Sequence, residues 1–211
     1  MSSDPVLVPG GRDVRGTLDR ADAADADANG TGGDDRSPAC VVACPPHPQH
    51  RGHRGDARLQ AVSDALTVRG IDCLRFDYGD WDEGYGECTD ADNAVGCALE
   101  RYERVGLFGF SFGGTVALVT AAGRPELRAV SALAPTAELN PDANAVEALD
   151  DVECPVQLVV ATRDTTADWE AVAERARELD CAVTELSTDH FFLGQTTEVG
   201  DLVGDFLGSG L

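Results

Sequence analysis

Residues 105–122 read Val-Gly-Leu-Phe-Gly-Phe-Ser-Phe-Gly-Gly-Thr-Val-Ala-Leu-Val-Thr-Ala-Ala. A buried apolar run ends abruptly at Ser111, a glycine pair follows, and an Ala/Leu/Val run suited to a helix comes next. Gly109-Phe110-Ser111-Phe112-Gly113 matches G-x-S-x-G. On a strand–turn–helix this pattern is a nucleophile elbow, with the serine at the tip of a tight, strained turn. The residues two before and two after must then be very small, and both are glycine. A bare match is weak, because Gly and Ser are common. Here the apolar strand before it and the glycine-capped helical run after it supply the context the motif needs.

The pattern continues on both sides. Residues 6–8 and 14–18 are expected to pair as strands. Residues 19–38, rich in Asp, Ala and Gly, are expected to form a mobile acidic loop that buries too little to order itself. From Ala39 the chain alternates. Strands are predicted at 39–44, 71–77, 105–110, 127–133, 155–161 and 181–186. Helices are predicted at 56–69, 90–102, 113–123, 144–149, 167–179 and 197–207. Residues 78–87 and 134–142 read as loops. This order argues for one α/β domain over residues 1–211, a mostly parallel twisted sheet with helices on both faces and no large lid. In such sheets, sites form at the carboxyl ends of strands.

Three polar residues follow predicted strand ends: Ser111, Asp164 and His190. A serine hydroxyl is a poor nucleophile until an imidazole takes its proton. The imidazole in turn needs a carboxylate to fix its tautomer. Ser, Asp, His is the chain order expected after an elbow of this type. Other readings stay open. Asp164 could only cap the following helix. Asp189, Glu138 or Asp142 could be the acid, and His190 could be an ordinary loop histidine, although no other histidine follows the elbow.

An oxyanion hole needs two backbone N–H groups. Phe112 is the expected first donor, at a helix N-terminus. The second should come from the turn after residues 39–44. Pro45, Pro46 and Pro48 have no N–H to give, which leaves His47, with Gln49 second. His47, His50 and His53, with Arg51 and Arg54 between them, could be plain loop polarity or a positive rim for an acyl or carboxylate substrate. No acidic or cysteine ligand accompanies them, so no metal is expected. Tyr78, Trp81 and Tyr85, with Gln49, are the candidate pocket residues, though the three aromatics could equally cover the sheet end as ordinary packing. Their strand, 71–77, is expected beside the elbow strand.

Composition bounds the rest. The chain has 211 residues, a net charge of −22, 38 Asp and Glu, and no lysine. Such a charge repels nucleic acid and anionic membranes. No apolar stretch reaches the roughly 20 residues of a membrane span. Met1-Ser2-Ser3-Asp4-Pro5 has no signal-peptide character, so a cytoplasmic location is expected. The abundant Asp and small apolar residues resemble haloarchaeal proteins and suggest adaptation to high salt. Seven cysteines without a C-x-x-C pair suggest neither disulfides nor zinc, and Cys88, read as a loop residue, is the one to watch for reactivity.

From Ala39 onward these residues resemble the α/β-hydrolase superfamily, most closely its small, lid-poor, dienelactone-hydrolase-like members. The resemblance rests on the elbow and on Pro46-His47-Pro48 with Gly52 and Gly55. It rests also on Arg75-Phe76-Asp77-Tyr78 and on Gly84-Tyr85-Gly86-Glu87. The loop after residue 78 lacks the family's Arg-Gly-x-Gly-x-Ser portion, and the glycine pair after Pro-His-Pro is absent. Dienelactone hydrolases proper use cysteine where this chain has Ser111, so their specific reaction does not carry over. The expected function is cofactor-free hydrolysis of a small ester or thioester through an acyl-enzyme. The alternatives are acyl transfer or perhydrolysis from the same intermediate, and a catalytically silent fold used for binding.

Overall fold

The structure, a computed structural model, describes residues 2–21 and 37–211. A hairpin opens it: β1 (Ser3–Leu7) and β2 (Arg15–Asp19). Then follow β3 (Ala39–Cys44), α1 (Ala57–Val68), β4 (Asp72–Asp77), α2 (Tyr85–Leu99), β5 (Arg104–Phe110) and α3 (Phe112–Ala122). After β6 (Val130–Leu133) comes a small hairpin, β7 (Glu138–Asn140) and β8 (Ala143–Asn144), running into α4 (Ala145–Ala148). The last elements are β9 (Val156–Ala161), α5 (Glu170–Glu178), β10 (Ala182–Leu186) and α6 (Thr196–Gly210).

Eight strands form one sheet in the order β1-β2-β4-β3-β5-β6-β9-β10. The β1–β2 and β2–β4 pairs are antiparallel, and every pair from β4 to β10 is parallel. All residues of β3, β6 and β9 are buried, as strands covered on both faces must be. One face packs on α1 and α6 through Leu59, Val62, Leu66, Val203 and Leu207. The other packs on α2, α3 and α5 through Val95, Val116 and Val172.

Four expectations are corrected. First, β4 does not neighbour the elbow strand β5, because β3 lies between them. The chain steps from β3 out to β4 and crosses back to β5, an ordering that periodicity does not reveal. Second, α2 starts at Tyr85 rather than at residue 90. Gly84 takes a left-handed φ of 94°, and the buried Glu87 carboxylate accepts from the Gly84 and Asp82 amides. A carboxylate on the first turn of a helix satisfies amides that would otherwise have no partner. Cys88 therefore sits in a helix; burial, with Glu87 nearby, pushes its thiol up to about 12, so it is not a reactive thiolate.

Third, residues 138–144 form a hairpin rather than a plain loop. Fourth, Asp19 is not a loop residue. It ends β2 opposite Cys73, buried and hydrogen-bonded, while residues 22–36 of the expected mobile loop lie outside the described residues. No helix among the described residues is long and apolar enough to cross a membrane.

Candidate active site

Ser111 joins β5 to α3 with φ 57° and ψ −123°. A non-glycine residue held there stores roughly 1–3 kcal/mol of strain. The surrounding backbone fixes it: Ser111 N–H donates to Leu133 O at 2.8 Å, and its carbonyl accepts from Gly114 and Thr115. The two flanking glycines are required by contact. A Cβ on Gly109 would fall 1.9 Å from Gly113 O, and one on Gly113 would fall 2.3 Å from the carbonyl oxygens of Cys44 and Pro45. The end of β3 thus lies directly against the start of α3.

The loops after β9 and β10 bring two more side chains to this point. Ala161 and Leu186 are register partners, and Thr162 N and Arg163 N donate to Leu186 O and Thr188 O across the two exits. His190 Nε2 stands 2.9 Å from Ser111 Oγ, and His190 Nδ1 stands 2.6 Å from Asp164 Oδ2. In the tautomer that donates from Nδ1 to the carboxylate, the Nε2 lone pair faces the serine hydroxyl. The His190 side chain is 6% exposed and that of Asp164 is 0% exposed. Phe110 and Phe191 pack on the imidazole, each 5.4 Å away between ring centres.

The competing acids lie elsewhere. Asp189 Oδ1 accepts from Phe191 N, and its carbonyl accepts from Phe192 N, so it shapes the His190 loop. Asp142 accepts from the Tyr85 hydroxyl, and Glu138 is exposed on β7. Asp164 does not cap α5, whose N-cap is Trp169.

Phe112 is the first residue of α3, so its N–H has no acceptor within the helix. In the turn after β3, His50 N and Gly52 N donate to His47 O, and Gln49 N donates to His47 Nδ1 at 3.2 Å. Gln49 therefore spends the amide that sequence reasoning held in reserve, whereas the His47 amide enters none of these bonds. The His47 ring stacks between His50 and Trp81, at 4.5 and 4.6 Å, and lies 4.9 Å from Phe112. Burial, and then the neighbouring His50, hold its pKa below the ordinary imidazole value, with Glu87 pulling weakly the other way.

A cavity of about 350 Å³ opens beside Ser111 and His190. Its walls include His47, His50, Arg51, Arg58 and Phe191. Gln49, Tyr78, Trp81 and Tyr85 are not among the residues that line it. Tyr78 and Trp81 stand one layer back, packed on Phe112 and His47, because β3 separates their strand from the elbow. Tyr85 reaches out to Asp142. His53 Nδ1 takes the Gly55 amide, and Arg54 binds Asp77. Arg58 pairs with Asp56 and lies over the Phe110 ring. Arg51 has no ion-pair partner among the described residues. Sequence reasoning missed Asp56, Arg58, Phe110, Thr166 and Phe191 as wall residues; of these, Phe110 and Phe191 carried a signal, each adjacent to a predicted site residue. Among the described residues no cluster of three His, Cys, Asp or Glu side chains could hold a metal ion.

The dienelactone hydrolase family model matches residues 88–191, a stretch just short of half the chain that holds Ser111, Asp164 and His190. No curated protein matches. Among solved structures, an alpha-beta serine hydrolase homologue from Coxiella burnetii is 20% identical, with a TM-score of 0.78 and 98% of both chains covered. An α/β serine hydrolase without lid from Xanthomonas campestris is 21% identical, with a TM-score of 0.76 over 96% of this chain and 92% of that one. Est1E from Butyrivibrio proteoclasticus is 17% identical, with a TM-score of 0.80 over 100% and 99%. At these identities the likeness is one of fold. The chain has the α/β-hydrolase fold, and no large lid is evident among the described residues. The family match supports a hydrolase, and the neighbours add the fold alone. Nothing in them supports a haloarchaeal origin.

Proposed function

We propose that this protein is a serine hydrolase that cleaves a small ester or thioester through an acyl-enzyme. Ser111 Oγ attacks the carbonyl carbon while His190 Nε2 takes its proton, and Asp164 holds the imidazole in the required tautomer and stabilises the imidazolium. The amides of Phe112 and His47 receive the oxyanion. The tetrahedral intermediate collapses, His190 returns the proton to the leaving oxygen or sulfur, and the acyl group stays on Ser111. Water, deprotonated by His190, then attacks the acyl carbon and releases the acid and the free serine.

The observation that carries this reading is the continuous contact Ser111 Oγ–His190 Nε2–Asp164 Oδ2, at 2.9 and 2.6 Å, on three different strand exits. Simple packing gives no reason to converge a hydroxyl, an imidazole and a carboxylate there, with the serine held in a strained conformation. The cavity is small, and among the described residues no lid covers it, which suits short acyl groups. Turnover of p-nitrophenyl acetate and labelling by a fluorophosphonate test the reading. Both are expected in the native chain and absent in Ser111→Ala. Undiminished turnover in Ser111→Ala would remove Ser111 from the mechanism.

A further inference from the structure

Arg54 lies in the turn between β3 and α1, and β4 holds all three of its polar groups. Its N–H donates to Asp77 Oδ1 at 2.6 Å, its Nη1 donates to Asp77 Oδ2, and its carbonyl accepts from Arg75 Nη1 at 2.5 Å. Arg75 and Asp77 are alternate residues of one strand and so share a face. Arg75 is anchored in turn. Its Nε donates to Asp19 Oδ2 at 2.6 Å, and Asp19 also accepts from Ser63 of α1 and Ser3 of β1. The buried Arg75–Asp19 pair adds little net stability over apolar residues of the same volume, and the half-exposed Arg54–Asp77 pair adds little more, so this rail is better explained by the geometry it imposes.

The other end of the turn is equally constrained. Gly52 N donates to His47 O at 3.0 Å, and a Cβ on Gly52 would fall 2.0 Å from Pro46 O. His47 is therefore locked to a residue only two positions before Arg54. At its start, the turn presses on Gly113 of the nucleophile helix through the carbonyls of Cys44 and Pro45. Clamped at both ends, the turn leaves the His47 amide little freedom relative to Phe112.

We infer that Arg54 and Asp77 are positioning residues for the oxyanion site, acting through the His47 turn. The inference rests on the acyl-enzyme reading above. Neither side chain bonds to Ser111 or His190. Their effect is to hold one of two amide donors where the oxyanion forms, a requirement of the transition state rather than of the bound substrate. Misplacing a donor by about 1 Å can cost on the order of a hundredfold in rate.

The test compares Asp77→Asn, Arg54→Ala and Arg54→Lys with the native chain. The substrate is p-nitrophenyl acetate, assayed well below each variant's melting temperature. Asp92→Asn, which breaks the pair between Asp92 of α2 and Arg124 just after α3, serves as the control for loss of an ion pair as such. Asp77→Asn and Arg54→Ala are expected to lose about tenfold to a hundredfold in kcat, with KM within about twofold. Affinity for an alkylboronic acid, which mimics the tetrahedral intermediate, should fall in parallel. Arg54→Lys should recover part of both, and Asp92→Asn should change neither. Native-like kcat and boronate affinity in the Asp77 and Arg54 variants, or a rise in KM alone, would overturn the inference while leaving the Ser111 reading intact. If Asp77→Asn does not fold, the two Arg54 variants decide the question. Absence of turnover in the native chain would instead count against the Ser111 reading.

Discussion

Asp164 divides its two carboxylate oxygens between two tasks. Oδ2 meets His190 Nδ1 at 2.6 Å, and Oδ1 accepts from the amides of Thr166 and Ala167 at 2.7 and 3.1 Å. The amides aim the carboxylate at the imidazole. The helix-cap reading fails because α5 starts at Glu170, but the same oxygen ties down the turn before it.

This division makes Asp164→Asn informative. The amide oxygen can keep the turn bonds, but the group facing His190 is then NH₂, a donor. The ring must turn its lone pair to it and put its proton on Nε2, where it cannot accept from Ser111. A fall in kcat of about 10³- to 10⁴-fold is expected, with little change in melting temperature. Steady-state kinetics and thermal melting on the same sample check both halves.

Gly113→Ala should do the reverse and act on the fold itself. The new methyl would sit 2.3 Å from two carbonyl oxygens, and the backbone of neither element can yield without moving the elbow. Destabilisation of about 3 kcal/mol or more is expected, a drop of roughly 10 °C in Tm for a chain of this size. Calorimetry or circular dichroism would measure it.

Most of this architecture was legible from residue patterns. The bounds of β3 and the Ser–His–Asp convergence follow from apolar runs and strand-end polar residues. The misread parts share a physical cause. Helix α2 hides its first turn because the glycines at 84 and 86 read as loop and the cap is made by Glu87, the third residue of the helix, on backbone amides. The cavity walls depend on lateral strand order. A single strand placed out of position moves Tyr78 and Trp81 from the cavity to the layer behind it. Asp19 read as loop because its partners, Arg75, Ser63 and Ser3, are distant in sequence.

Those partners give Asp19 a pH signature. Burial pushes its carboxyl up, but hydrogen bonds from Arg75, Ser3 and Ser63 and the charge of Arg75 outweigh burial and hold it below the ordinary value. A carboxyl with a lower pKa folded than unfolded binds fewer protons in the folded state. Its stabilisation is complete above the unfolded value of about 3.9 and drains as pH falls through the folded value. Asp19→Asn should lower Tm at neutral pH and flatten the acid limb of the Tm–pH curve. An equally steep acid limb in Asp19→Asn would show that other carboxyls govern it.

Arg51 lines the cavity without an ion-pair partner among the described residues, in a chain where acids outnumber arginines by 38 to 16. An ester carrying a carboxylate beyond the scissile bond, such as a p-nitrophenyl hemisuccinate, should be favoured over a neutral ester of equal length. The ratio of their kcat/KM values should fall about threefold to tenfold in Arg51→Glu. Added salt should shrink it too, since the arginine is exposed and screened. A ratio unmoved by the substitution would exclude Arg51 from recognition.

Salt acts on the whole chain through two opposed effects. At low ionic strength a net charge of −22 repels itself and favours the expanded state. Exposed pairs such as Arg15–Asp13 and Arg177–Glu185 attract, but each contributes only about 0–1 kcal/mol. Raising KCl shortens the screening length from about 10 Å at 0.1 M to about 3 Å at 1 M and weakens both. The 22 acidic charges in excess outnumber even the 16 arginines that could pair, so relief of repulsion should win. Tm is expected to rise steadily between 0.1 and 2 M KCl, most steeply at the low end where screening changes fastest. A Tm that falls over that range would mean that the ion pairs dominate and that the acidic composition is no adaptation to salt.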